Sequence, residues 1–340
     1  MLESGLVGAS ARGAEVNPGA LLLARLYTLI NIEPPARTTL LTDLDSRLRD
    51  HFGDVSLFKS TPGLPQDLQH LCDFRATLEL DEQTTLLDAA IILSDFPRTA
   101  EPVDFLRHWT KVRDLVQKLP YSKAPIETFA ADARDLPLPN DDVGLVITSP
   151  PYINVFNYHQ QYRGSVEGLG YDVLDAARSE VGSNRKHRQN RFLTVIQYIL
   201  DLSLAMKEMT RVAANGTRLI LVVGRESNVL GTPFFNGAII AEIGSKVLGL
   251  PITLRQERVF TNRFGKRIFE DILHFENKQV SGDVLGSARI LAAEVLASAV
   301  RRSEPGVRRL IDGAGKQILE VDPSPRFTGR AGLPASPQVG

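Results

Sequence analysis

Five consecutive residues, Thr148-Ser149-Pro150-Pro151-Tyr152, bring together the side chains of this sequence best suited to chemistry. They follow Val143-Gly144-Leu145-Val146-Ile147, an apolar run that reads as a buried parallel strand. Two successive prolines cannot continue a strand's hydrogen-bond ladder, so the chain is expected to leave the sheet at Ser149. That exit puts a hydroxyl, carbonyls and an aromatic ring at a strand's carboxyl end, the edge where open α/β sheets bind ligands. Ser149 and the carbonyl beside Pro150 can accept hydrogen bonds from an exocyclic amino group and keep its nitrogen lone pair aimed outward. Tyr152 offers a flat face to a base turned out of a duplex, and such stacking is worth about 1–3 kcal/mol. A bare Ser-Pro-Pro-Tyr would read as a turn with a packed aromatic. Its place directly after an Asp-led apolar strand favours the site.

At these residues the sequence resembles the DNA amino-methyltransferases, which methylate N4 of cytosine or N6 of adenine from S-adenosylmethionine. Serine at 149 is more like the N4-cytosine members, since the adenine enzymes more often carry Asp or Asn there. The resemblance spans about residues 8–30 and 126–276. It implies a Rossmann-like α/β fold of class I, with Ser149, Pro150, Pro151 and Tyr152 catalytic and no enzyme nucleophile.

For the cofactor, Gly13-Ala14-Glu15-Val16-Asn17-Pro18 resembles the family's second strand, with Met1 to Ser10 as the helix before it. Glu15 would accept the ribose hydroxyls, and Asn17 would stand beside it where the next helix begins. Ile126 to Leu136 resembles the third strand and its turn. Asp132 and Ala133 would meet the cofactor's adenine, and Thr148 lies at the same edge. The resemblance also implies a central first strand ending in an F-x-G-x-G turn, and no such element precedes Glu15. Gly5 and Gly8 are spaced as in a helix. A sheet lacking that strand would have a gap where parallel strands should pair. A separate polypeptide carrying the segment, a start codon assigned too late and an inactive remnant are the three explanations left open.

DNA is the expected partner. Asn154, with Asn157 and Tyr158, follows the motif closely enough to line its pocket. The stretch 182–191 holds Arg185, Lys186, Arg188 and Arg191 among amides, a composition suited to phosphates and base edges. Arg263, Lys266 and Arg267 lie in a second basic turn.

The elements that must position these groups follow from pattern. Residues 1–31 begin the methyltransferase core, and 32–125 read as a helical insertion. The core resumes over 126–276, and 277–320 form a helical extension. Residues 321–340, rich in Pro, Gly and Ser, are expected to be disordered. Helical spacing covers 192–209 and 233–248, Arg218 to Gly224 reads as a buried strand, and 253–260 and 271–275 as the final antiparallel pair.

Composition sets the bounds. The 340 residues are 43% hydrophobic and 23% charged with net charge −1, so a nucleic-acid surface must be a local patch. The single cysteine, Cys72, forms no intrachain disulfide, lies outside any Pro-Cys pair and suits a reducing cytoplasm as a packing residue. No apolar run reaches the roughly 18 residues of a membrane span, and His51, His70 and His108 lack metal-ligand spacing. Two other functions remain in view: a nucleic-acid-binding subunit without catalytic competence, and an RNA amino-methyltransferase. The latter would be expected to carry a dedicated RNA module, which is not found.

Overall fold

A computed structural model describes residues 1–52, 65–96, 104–153, 160–182 and 190–327. The chain divides into two compact units, residues 1–131, 157–177 and 327–340, and residues 132–156 and 178–326. The β1–β2 strand pair of the expected core therefore belongs to the same unit as the helical insertion, because both pack on the helix that follows the first strand.

In the first unit, the short helix α1 (Leu2–Leu6) leads into β1 (Ala11–Glu15), which pairs in parallel with β2 (Ile126–Ala130). Helix α2 (Pro18–Arg25) starts cleanly: Pro18 sits in its first turn and the Asn17 side chain caps it. The insertion consists of α3 (Pro34–Phe52), α4 (Pro65–Arg75), α5 (Asp81–Ser94) and α6 (Phe105–Gln117). Of these, α4 has no clear stripe in the sequence. Leu44, Leu86, Ile91, Trp109 and Val112 close its core with Leu22 and Leu26 of the α2 region. A buried ion pair, Arg75 Nη2 to Asp88 Oδ2 at 2.8 Å, ties α4 to α5. Helix α7 (Arg163–Gly168) and most of α8 (Val173–Ser179) complete the unit.

The second unit is built on a four-stranded sheet of order β3-β4-β8-β7. Here β3 (Val143–Thr148) runs parallel to β4 (Ala213–Gly224), while β8 (Arg267–Glu276) is antiparallel to β4 and to β7 (Ile252–Thr261). This is the Rossmann-like α/β arrangement expected of the chain, with the final antiparallel pair one residue longer at three of its ends and β8 starting four residues earlier, at Arg267. Between β4 and β7 come a small hairpin, β5 (Glu226–Val229) and β6 (Thr232–Phe235), and α10 (Asn236–Glu242), which continues as a π-turn over Ile243–Val247. The hairpin takes the start of the helix expected from residue 233. Helices α9 (Leu193–Val212), α11 (Val284–Val300) and α12 (Pro305–Lys316) complete the unit. Ile196, Ile199, Leu219, Leu221, Leu273, Phe275 and Leu291 lie in its buried core.

Two expectations are corrected. The strand read as buried is parallel but not buried: among the described residues β3 pairs with β4 only, and Leu145 and Ile147 are 50% and 65% exposed. Its apolar sequence was matched to a two-sided sheet, and its second edge has no neighbouring strand here. The start of the C-terminal segment expected to be disordered, residues 321–327, is packed on the core, and residues 328–340 lie outside the described residues. Val321 and Ser324 are buried, and the Ser324 N–H and hydroxyl both donate to Asp201, at 2.8 and 2.7 Å. Over residues 321–327, specific polar contacts to the core outweigh the disorder-prone composition. No helix of the described residues is long and apolar enough to cross a membrane.

Candidate active site

The site grows from the carboxyl ends of β3 and β4, which lie side by side because the strands are parallel, with Thr148 opposite Leu221. Past Thr148 the chain leaves the ladder, as its prolines require. Ser149 is exposed, Pro150 is buried, and Pro151 and Tyr152 are half-buried. The Tyr152 ring lies on the backbone of Gly224, the last residue of β4. A methyl group built there would stand 2.8 Å from Tyr152 Cε2 and 3.2 Å from Cζ. Glycine at 224 thus makes room for the ring.

One side chain ties the two segments together. Asn236, fully buried at the start of α10, donates from Nδ2 to the Gly224 carbonyl and to Ser227 Oγ, both at 2.9 Å. Its Oδ1 accepts the Ile153 N–H at 3.4 Å. The residue after the motif and the residue beneath the ring are therefore fixed to one amide. Gly224 was read in the sequence only as the end of a buried strand, and Asn236 did not stand out. The signal was present only as a Gly at a strand end and an Asn among apolar residues, and their pairing is visible only in three dimensions.

Asp132 and Ala133 follow β2 in sequence and belong to the second unit. Ala133 is packed at the margin of the core. Asp132 is 4% exposed, and both its oxygens are held by Arg134: Nε donates to Oδ1 at 2.9 Å and Nη2 to Oδ2 at 2.6 Å. The same guanidinium donates to Asp201 Oδ1 at 2.8 Å and to the carbonyls of Ser179, Ser324 and Pro325. Arg134 is itself 3% exposed. The carboxylate assigned to a cofactor's adenine is thus committed to a buried clamp. Sequence reasoning missed Arg134 because a cation two residues after an Asp looks like a solvated loop residue.

Glu15 ends β1 in the first unit, as expected. Its Oε1 accepts the Asn17 N–H at 2.8 Å, while burial pushes its carboxyl above the usual carboxylate range. The Asn17 Oδ1 accepts from the N–H groups of Gly19 and Ala20, at 2.9 and 3.3 Å, so that side chain is engaged as a helix cap. A half-buried strand-end carboxylate fits a sugar diol, and Asn17 holds the backbone that shapes it.

Asn154, Asn157 and Tyr158 lie outside the described residues, as do Arg185, Lys186 and Arg188. Arg191 is half-buried just ahead of α9. Arg263, Lys266 and Arg267 cluster at the turn joining β7 to β8. Cys72 is half-buried, donates to the Gly168 carbonyl at 3.3 Å, and has its thiol pushed up to about 11 by burial. No group of three metal-capable side chains occurs among the described residues.

No protein-family model matches the chain, and no curated protein matches it in sequence. Among solved structures, it is similar to a SAM-dependent methyltransferase from Methanosarcina mazei. The identity is 10%, covering 49% of this chain and 76% of that one, with a TM-score of 0.28. A superposition that slight has no bearing on function.

Proposed function

We propose that this protein is an S-adenosylmethionine-dependent DNA methyltransferase acting on an exocyclic amino group, cytosine N4 before adenine N6. The observation that supports this is the end of β3, where an exposed Ser149 is followed by a Tyr152 ring resting on Gly224, with Gly224 and Ile153 both bonded to Asn236. Ser149 Oγ and the carbonyl beside Pro150 would accept the two amino hydrogens and leave the nitrogen lone pair free to attack. Tyr152 would stack the base. The bound cofactor would supply an electrophilic methyl carbon. Orientation and proximity, with no covalent enzyme intermediate, carry the rate in such a site.

The test is transfer of labelled methyl groups from S-adenosylmethionine to genomic DNA, with the product base identified by mass spectrometry. Ser149→Ala and Tyr152→Ala are each expected to lower transfer by about 100-fold, roughly 2.7 kcal/mol of transition-state stabilisation. Full activity in both would remove this site from the reaction.

A second feature supports a split arrangement. The edge of β3 left unpaired among the described residues, with Leu145 and Ile147 exposed, offers a ready ladder to a strand from a separate polypeptide. On that reading, isolated chain binds S-adenosylmethionine weakly and gains affinity when the partner is co-expressed. Micromolar cofactor binding by the isolated chain, measured by calorimetry, would oppose it.

A further inference from the structure

The β7–β8 hairpin is a ribbon with an unusual distribution of charge. Every residue of β7 is exposed. Along the body of the ribbon its cations are matched: Arg225 with Glu257, Arg225 with Asp271 at 3.6 Å, Arg255 with Asp271 at 3.4 Å, and Arg258 Nε with Glu270 at 2.7 Å. The tip differs. Arg263, Lys266 and Arg267 have no ion-pair partner among the described residues, and no carboxylate lies between Thr261 and Arg267. In their midst Phe264 is 77% exposed. The guanidinium of Arg263 lies 4.7 Å from its ring centroid.

The turn that carries these groups is tightly specified. Asn262 Oδ1 accepts the N–H groups of Phe264 and Lys266, each at 3.0 Å. The Asn262 N–H donates to the Lys266 carbonyl at 2.9 Å, and the Gly265 N–H to the Asn262 carbonyl at 3.0 Å. Gly265 has φ +76°, the left-handed residue that closes a three-residue hairpin loop. Phe264 is therefore presented on a fixed scaffold, which lowers the ordering cost of any contact it makes.

The tip also points the right way. Because β8 is antiparallel to β4, its start lies at the sheet end where β3 and β4 finish, the end that bears Ser149 and Tyr152. Gly224, under the Tyr152 ring, pairs with Glu270. Arg267 to Phe269 run beyond that pair by about 10 Å at roughly 3.4 Å per residue, and the turn extends further. A duplex presenting a base at the end of β3 would meet the tip several base-pair steps away, at about 3.4 Å per step.

We infer that the hairpin tip is a duplex-DNA wedge, in which Phe264 enters a base step while Arg263, Lys266 and Arg267 hold the flanking phosphates. This rests on the reading of DNA as substrate, but makes a separate claim about one contact. Proteins that part base steps combine an apolar wedge such as Phe with Arg and Lys contacts, and the tip presents both.

The experiment titrates the full chain with a fluorescent 30-base-pair duplex and with the matching single strand, at several salt concentrations. A companion duplex series carries 2-aminopurine at successive positions. Wild-type protein is expected to prefer duplex and to brighten 2-aminopurine at one step, where stacking is lost. Phe264→Ala should weaken duplex binding 10- to 100-fold, leave the salt slope unchanged and abolish the brightening, while Phe264→Leu retains most of both. Arg263→Ala/Lys266→Ala/Arg267→Ala should reduce the salt slope by two to three. Absence of duplex binding, equal binding by Phe264→Ala, or preference for single strand would each overturn the wedge. Methyl transfer is measured in parallel, so that a wedge without transfer, or transfer without a wedge, separates this inference from the catalytic reading.

Discussion

Gly224→Ala should be the most informative single change in the protein. Gly224 does not have a positive φ, so alanine is not excluded by its backbone. What it meets is Tyr152: the added carbon would stand 2.8, 3.2 and 3.3 Å from Cε2, Cζ and Cδ2. Carbon atoms settle at about 3.5–4.0 Å, so the ring must retreat by roughly 1 Å. Asn236 anchors the strand through the Gly224 carbonyl, so the displacement falls on the ring. A misplacement of about 1 Å in a group that positions substrate can cost about 100-fold, roughly 2.7 kcal/mol. The folding cost of such overpacking is about 1–3 kcal/mol and is read separately by urea unfolding. The decisive assay is a double-mutant cycle in methyl transfer. If Gly224 acts only by seating the ring, Gly224→Ala should add almost nothing in a Tyr152→Ala background, a coupling of about 2–3 kcal/mol. Activity within twofold of wild type in Gly224→Ala, or an undiminished effect in the double variant, would refute the reasoning.

Three further outcomes follow from named contacts. Arg134→Met should destabilise the protein by about 3–5 kcal/mol in urea unfolding, because Asp132 and Asp201 lose their buried counter-charge; a loss under 1 kcal/mol would show the clamp to be dispensable. Glu15→Gln should raise the urea midpoint at pH 7.5. Burial raises the Glu15 carboxyl's pKa, so the stability this group contributes is full below its unfolded value near 4.3 and is lost as pH rises through the folded value. The advantage of glutamine should fade toward pH 4.5 while ribose-dependent cofactor affinity falls, and a lower midpoint at pH 7.5 would contradict this. Cys72, with its thiol near 11, should alkylate at pH 8 at least tenfold more slowly than a free cysteine of pKa about 8.5; labelling at the free-thiol rate would place it outside the packed site.

What the sequence made legible was the part governed by local rules. The end of β3 follows from two prolines, and the start of α2 from Asn17-Pro18. The β7–β8 turn follows from a polar, glycine-containing stretch between two alternating strands. Each depends on residues within a few positions of one another, so pattern suffices. What was not legible depends on groups far apart in the chain. Arg134 reads as a loop cation until Asp201 and the carbonyls of Ser324 and Pro325 are brought around it. Asp132 then changes character, because a carboxylate already bonded twice to a buried guanidinium has little capacity left for a ligand. Gly224 and Asn236 lie beyond reach for the same reason: one is defined by a ring 72 positions earlier, the other by the backbone it spans. The apolar run of β3 fails in the opposite sense. Val143 to Ile147 carries the composition of a strand covered on both faces, yet half of its large side chains meet solvent. Composition records the environment a strand is suited to, and among the described residues only one edge of β3 is paired.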